Sequence, residues 1–236
     1  MLSKNEIKDI KALGQKKFRD ERQLFIVEGE KLVDEAQRSG FEVVRVLRTA
    51  DIGHDAMSRI SQLANPSPAL AIVRQKAPGP LMLDPGQLTL ALDGIRDPGN
   101  LGTIIRIADW FGIKQIIASE DTVEVYNPKV VQATMGAIFR VRVHYRNLAT
   151  VLAATTRIPV YGTFLEGDDI NKAPLTPGGI IVMGSEADGI SPEVAATVTR
   201  KLYIPPYPAD AHTSESLNVA VATAITCAEF RRRSRS

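Results

Sequence analysis

The sequence predicts an α/β protein in two parts, a small unit followed by a larger one built on a covered parallel sheet. Three observations predict it. Short apolar runs alternate with helix-period segments along nearly the whole chain. The alternation breaks most sharply at Ala77-Pro78-Gly79-Pro80, with Asp84-Pro85-Gly86 close behind, a density of proline and glycine that marks a linker. Runs such as Ile180-Ile181-Val182-Met183 are apolar at every position, as in a strand buried on both faces. The expected division is an accessory unit over 1–76, a linker over 77–87 and a second domain over 88–236.

In the first unit, Ser3 to Lys16 reads as an amphipathic helix with Ile7, Ile10 and Leu13 on one side. Asp20-Glu21-Arg22 reads as a turn. Leu24 to Val27 reads as a strand, Glu28 to Arg38 as a helix stopped by Gly40, and Val43 to Leu47 as a second strand. Ala56 to Leu63 reads as a helix and Ala69 to Val73 as a third strand.

In the second domain, Leu88 to Leu92 reads as a strand. Asn100 to Phe111 is a helix with Ile104, Ile107, Ala108 and Phe111 at core spacing and Gly112 as its stop. Strands are expected at Gln115 to Ala118, Val141 to Val143, Val160 to Phe164, Gly179 to Met183 and Leu202 to Ile204. Helices are expected at Pro128 to Met135 and Leu148 to Thr156. Ser191-Pro192-Glu193 starts a further helix, with serine as cap and proline at its first position. A long final helix runs from Ser216 to Arg231.

The 236 residues are 44% hydrophobic and 24% charged, the balance of a soluble globular protein. Cys227 is alone, so no internal disulfide forms, and a reducing cytoplasmic location is expected. The charged stretch Met1 to Asp20 does not read as a secretory leader, and no apolar run approaches the ~20 residues of a membrane helix. Net charge is +2, but it is unevenly spread. Arg231, Arg232, Arg233 and Arg235 cluster at the C-terminus, and Lys4, Lys8, Lys11, Lys16, Lys17, Arg19 and Arg22 at the N-terminus. Two basic patches on a near-neutral body suit a polyanion touched at particular places, and also suit solvated faces.

Three polar segments stand at element ends. Asp97-Pro98-Gly99-Asn100-Leu101-Gly102-Thr103, with Arg106 beyond, delivers a helix N-terminus whose free N–H groups favour anions. The competing structural reading makes Asn100 a plain cap and Arg106 a solvated side chain. Neither a Rossmann G-x-G nor a Walker Gly-Lys-Ser/Thr is present. Gly184-Ser185-Glu186-Ala187-Asp188-Gly189 leaves the end of a buried strand, where open α/β sheets bind ligands. Ser216-Leu217-Asn218 opens the alanine-rich final helix, with Ser216 as its expected cap. His54, His144 and His212 are scattered and imply no metal. The Asp210, His212 and Ser216 grouping lacks the elbow of a hydrolase nucleophile.

Together these segments resemble the three motifs of the SpoU (TrmH-type) RNA ribose 2′-O-methyltransferases of the SPOUT superfamily. Motif one is matched by Asn100-Leu101-Gly102-Thr103-Ile104-Ile105-Arg106, and motif two by Ile181 to Glu186 and on to Gly189. Motif three is matched by Ile204-Pro205 and by Ser216-Leu217-Asn218-Val219-Ala220-Val221-Ala222. Lys16 to Arg19 and Phe25 to Leu32 resemble the family's accessory substrate-binding domain, a fold related to kink-turn-binding ribosomal proteins. The loop from Pro206 to Glu215 departs from the pattern, being longer than the family's short glycine-bearing loop.

The resemblance implies a trefoil-knotted catalytic domain, which periodicity could not reveal and which is rare among folds. It implies S-adenosylmethionine as cofactor, with Thr163, Gly184, Ile204 and Leu217 beside it. It implies Arg106 as the catalytic arginine, supported by Asn100, Glu186, Ser216 and Asn218. It implies a homodimer through the final helix, with Ala220, Ala224 and Ala228 suited to a tight contact. The implied activity is methyl transfer to a ribose 2′-hydroxyl of RNA, ribosomal RNA ahead of tRNA. A non-catalytic RNA-binding or ribosome-assembly protein on the same fold is the alternative from another class.

Overall fold

The computed structural model describes residues 2–208 and 216–233. The elements in chain order are α1 (Lys4–Ala12), α2 (Lys16–Arg22), β1 (Leu24–Glu28), α3 (Glu30–Arg38), β2 (Val43–Arg48), α4 (Thr49–Ile52), α5 (His54–Ile60) and β3 (Ala69–Arg74). There follow β4 (Leu88–Asp93), α6 (Pro98–Trp110), β5 (Gln115–Ala118), α7 (Pro128–Ala133), a 3-10 turn at Ala137–Phe139, β6 (Arg142–Tyr145) and α8 (Leu148–Ala153). The chain continues through β7 (Val160–Asp169), β8 (Gly179–Gly184), α9 (Pro192–Ala195), β9 (Arg200–Tyr203) and α10 (Val219–Arg233). Of the long loop from Pro206 to Glu215, residues 209–215, with Asp210 and His212, lie outside the described residues, as does Arg235.

Two compact units form. One holds the chain up to Ala77 together with Glu124–Arg140; the other holds Pro78–Val123 and the chain from Val141 onward. In the first, β1, β3 and β2 make an antiparallel sheet in that order. Alternation decides its two faces. Phe25, Val27, Ala71 and Val73 point to α3, while Ile26, Leu70 and Ile72 meet Ile7 and Ile10 of α1 and Met57 and Ile60 of α5. Asp20-Glu21-Arg22, expected as a turn, ends α2 instead. The left-handed Gln23 (φ 54°) stops that helix.

The segment Glu124–Arg140 was expected to belong to the second domain, and its apolar side chains show why it groups with the first. Val131 and Ile138 are buried in the core of Phe25, Val27 and Val33. The Tyr126 ring lies 4.6 Å from that of Phe25, and its hydroxyl donates to the Lys76 carbonyl at 2.9 Å. Arg19, 2% exposed, ion-pairs Glu124 and donates to the Leu13 carbonyl at 2.9 Å. Removing one partner of such a buried pair costs about 3–5 kcal/mol, because the other charge is stranded.

The second unit has six parallel strands in the order β6-β5-β4-β8-β7-β9. The all-apolar strand β8 lies inside the sheet between β4 and β7, as its composition predicts. One face packs on α8 and α9 through Ala91, Ile117, Val160, Ile180 and Val182. α6 and α10 pack on one another, and Phe230 of α10 meets the buried Tyr161 of β7 edge-on at 4.9 Å.

His144 on β6 is fully buried, and neither ring nitrogen has a partner among the described residues. Burial, and then the charges of Arg146 and Arg142, hold its pKa below the usual histidine value. An unfolded histidine titrates near pH ~6.5. The stability gained by keeping His144 neutral is therefore whole above that value and is lost as pH falls through the lower folded-state pKa. We expect His144→Leu to flatten the fall of the urea midpoint between about pH 7 and about pH 5, a slope of at most ~1.4 kcal/mol per pH unit. An identical slope in the variant would rule this account out.

Candidate active site

The sequence-predicted site residues ahead of the final helix lie in β7, in α6, at the end of β8 and its following loop, and just past β9. α6 starts four residues beyond β4, and its cap is Asp97, whose Oδ1 accepts from the Asn100 backbone N–H at 2.7 Å. Asn100 is thereby spared the capping role, and its side chain reaches across to the loop after β8. Its amide donates to both oxygens of Glu186, each at 3.0 Å. Asn218 closes the triangle. Its amide donates to Glu186 Oε1 at 2.6 Å and to Asn100 Oδ1 at 2.9 Å.

Asn218, not Ser216, caps α10. Its Oδ1 accepts from the N–H groups of Ala220 (3.0 Å) and Val221 (3.3 Å), so the helix begins three residues later than expected. Glu186 Oε1 also accepts from the Val219 N–H at 3.4 Å. One carboxylate thus sits at the positive ends of two helices, where negative charge is favoured, and fixes both to the β8 loop. Ser216 stands exposed two residues ahead of Asn218.

The loop after β8 is tight. Ser185 and Gly189 exchange backbone hydrogen bonds at 3.0 Å, and Gly189 takes a left-handed φ of 68°. A Cβ on Gly184 would stand 2.2 Å from the Gly189 carbonyl carbon, so only glycine lets the loop fold back there. Gly184 ends β8, Thr163 lies in β7 beside it and Ile204 directly follows β9. These lie on or just past three neighbouring strands, and the Thr163 hydroxyl donates to the Val182 carbonyl at 3.3 Å. Leu217 keeps 45% of its surface exposed and Leu165 66%. Apolar side chains beside neutral backbone groups at strand ends suit a ligand with an uncharged aromatic part.

Arg106 projects from α6 into solvent, one turn beyond the exposed Thr103, and has no hydrogen-bond or ion-pair partner among the described residues. The structure therefore joins Asn100, Glu186 and Asn218 directly, and leaves Arg106 available to an anion. Sequence reasoning gave no role to Asp93 or Arg96. Asp93, 9% exposed, accepts from the Ser191 N–H at 2.7 Å and so anchors the far end of the β8 loop. Arg96 bridges Asp121 (3.2 Å) and Asp188 (3.5 Å). The Ser119 hydroxyl donating at 2.6 Å, helped by Arg96, holds the Asp121 carboxyl below the usual range. Partners 25 to 98 residues apart leave no local pattern to read. Among the described residues, no cluster of His, Cys, Asp and Glu could hold a metal, and no helix is long and apolar enough to cross a membrane.

The outer face of α10 also differs from expectation. Ala220, assigned to a helix contact, is 4% exposed and faces its own core. Ala224 is half-buried, and Ala228, also among the expected contact residues, is exposed in one stripe with Leu217, Val221 (49%) and Ile225 (38%); Trp110 of α6 is 85% exposed.

Residues 87–228 match the SpoU rRNA Methylase family, and residues 4–72 match the MRM3-like substrate binding domain. The 23S rRNA (guanosine(2553)-2′-O)-methyltransferase RlmP of Bacillus subtilis is 30% identical over 242 residues, covering 94% of this chain and 95% of its own. A solved Porphyromonas gingivalis protein assigned to the TrmH family is 43% identical, with a TM-score of 0.87 and 99% of both chains covered. The S-adenosylmethionine-bound rRNA methyltransferase of Sinorhizobium meliloti is 31% identical, with a TM-score of 0.87 over 99% of this chain and 97% of that one. Matched along both units, this chain belongs to the SpoU rRNA methylase family of S-adenosylmethionine-dependent RNA ribose 2′-O-methyltransferases.

Proposed function

We propose that the protein methylates a ribose 2′-hydroxyl of ribosomal RNA, using S-adenosylmethionine, as a cytoplasmic homodimer with a trefoil-knotted catalytic domain. The observation that carries the reading is the triangle of Asn100, Glu186 and Asn218, which draws residues 32 to 118 apart in sequence into one supporting frame. The Bacillus subtilis relative, named for a 23S rRNA guanosine, favours ribosomal RNA over tRNA. Cys227, buried with its thiol pushed up to about 12 by that burial, suits a reducing compartment.

The strand ends fit the cofactor. Thr163, Gly184, Ile204 and Leu217 offer backbone groups, one hydroxyl and apolar surface, and would hold its nucleoside. Bound there, S-adenosylmethionine supplies an electrophilic sulfonium methyl. The protein's own task is to align the 2′-hydroxyl and ease the loss of its proton to solvent water. Arg106 grips the phosphate next to the target ribose through its guanidinium fork, and its positive charge makes the hydroxyl a stronger acid. Arginine stays protonated, so it acts as a clamp and not as a base. Asn100, Glu186 and Asn218 hold the two helix starts around that point, with Ser216 at the rim. The exposed stripe on α10 and the partnerless Arg106 on α6 favour a site completed by a second subunit.

The test is transfer of labelled methyl from S-adenosylmethionine into purified rRNA and tRNA, followed by nucleoside digestion. The expected product is a 2′-O-methylated nucleoside from rRNA. Label in tRNA alone would reassign the substrate. No incorporation into either would leave an RNA-binding module.

A further inference from the structure

The N-terminal unit carries a second concave feature. A groove of about 360 Å³ is lined by Glu35, Arg38 and Ser39 at the end of α3 and by Phe139 and Arg140 at the end of the 3-10 turn. We propose that this groove is a subsite for single-stranded RNA, with a base stacked on Phe139 and flanking phosphates on Arg38 and Arg140. The inference rests on the RNA reading above and adds where, outside the catalytic unit, the strand is held.

The groove has the parts that such binding needs. Arg38 is exposed and has no hydrogen-bond or ion-pair partner among the described residues. Arg140 is paired with Glu35 at 2.5 Å, which aims its guanidinium. Phe139 is half-buried and is braced edge-on by Phe41 at 5.2 Å, so its ring is fixed. Lys76 stands over the Phe41 ring at 5.6 Å and donates to the Gly40 carbonyl at 3.1 Å. Two arginines therefore line the groove beside a braced aromatic ring, and one of them is held by a carboxylate. Sequence-tolerant binding of single strands combines a basic track with aromatic platforms in this way. A purely structural role accounts for Phe41 and Phe139, both packed against the core of Phe25 and Val27, and for the Glu35–Arg140 pair, but leaves Arg38 without a partner among the described residues.

The match to a substrate-binding domain ends at residue 72, whereas Phe139 and Arg140 come from the segment between β5 and β6. The groove is thus completed by a stretch that the accessory-domain match does not reach. The anchors Arg19–Glu124 and Tyr126–Lys76 hold the start of that stretch in the same unit.

The test uses the full chain and a fluorescent single-stranded oligoadenylate of about 12 nucleotides, titrated by anisotropy across a range of salt. Arg38→Ala and Arg140→Ala should each weaken binding and reduce the magnitude of the log Kd against log salt slope by about 0.7. Phe139→Leu should weaken binding roughly tenfold with the slope unchanged. Arg59→Ala, an exposed cation on α5, should leave both quantities at wild-type values. Thermal melts guard against misfolding, and Arg38→Ala removes no intramolecular bond, so its result stands whatever the other variants do. Wild-type affinity and slope in Arg38→Ala and Phe139→Leu would overturn the subsite. A wild-type enzyme without methyl transfer whose RNA binding still depends on Arg38 would instead overturn the proposed function and keep the subsite.

Discussion

Arg106→Ala is expected to lower kcat for methyl transfer by about 100- to 1,000-fold while the Kd for S-adenosylmethionine, read by calorimetry, stays within twofold. The size follows from removing a fixed positive charge where an anion develops. The selectivity follows from position, since Arg106 leaves the exposed face of α6 while the residues proposed to hold the cofactor lie within β7, at the end of β8, just past β9 and ahead of α10. Arg106→Lys separates clamp from base. Lysine keeps the charge but loses the bidentate fork, so a clamp predicts partial loss with an unchanged pH profile. A base predicts a new rise in rate toward the lysine pKa of about 10.4. An Ala variant turning over at the wild-type rate would refute both roles.

What the sequence disclosed, and what it hid, divides by range. Gln115–Ala118 appears with the bounds its apolar run predicts, and β8 lies inside the sheet because a four-residue run without a polar face must. Helix starts are less legible because several residues compete to cap. Asp97 and Asn218 cap α6 and α10, where the polar clusters also offered Asn100 and Ser216. Local composition cannot rank them, since the choice depends on Glu186 drawing both asparagine side chains together. The motif resemblance supplied that long-range information, naming Asn100, Glu186, Ser216 and Asn218 as one set, of which the structure joins three by direct hydrogen bonds. It supplied nothing for Asp93 or Arg96. The grouping of 124–140 with the first unit was hidden for a related reason. Tyr126, Val131 and Ile138 read as ordinary apolar positions, and only the cavity they fill beside Phe25 and Val27 shows which core they serve.

Ile225→Glu is expected to convert a dimer to a monomer in size-exclusion light scattering and to abolish methyl transfer, with the melting temperature of the isolated chain little changed. Leu217, Val221, Ile225 and Ala228 recur at i, i+4, i+8 and i+11 along α10, an apolar stripe with no cover in a single chain. Covering a side chain such as Val221 or Ile225 is worth up to about 1.5–3 kcal/mol, and a two-fold contact counts each one twice. On the proposed two-fold contact, a carboxylate in the middle of that stripe adds like-charge repulsion between copies to the lost burial. Ala220→Leu makes the contrast. Ala220 faces the core, and overpacking it should cost about 1–3 kcal/mol of chain stability without addressing the interface. Function supplies the sharper readout. If Arg106 serves the partner's cofactor site, Arg106→Ala chains mixed with Glu186→Ala chains regain activity, because each mixed dimer holds one intact combination. Random reassociation puts the recovery at roughly a quarter of wild type. A mixture as inactive as its parents would place Arg106 and the cofactor in the same subunit, and an Ile225→Glu protein that still elutes at twice the chain mass would move the interface off α10.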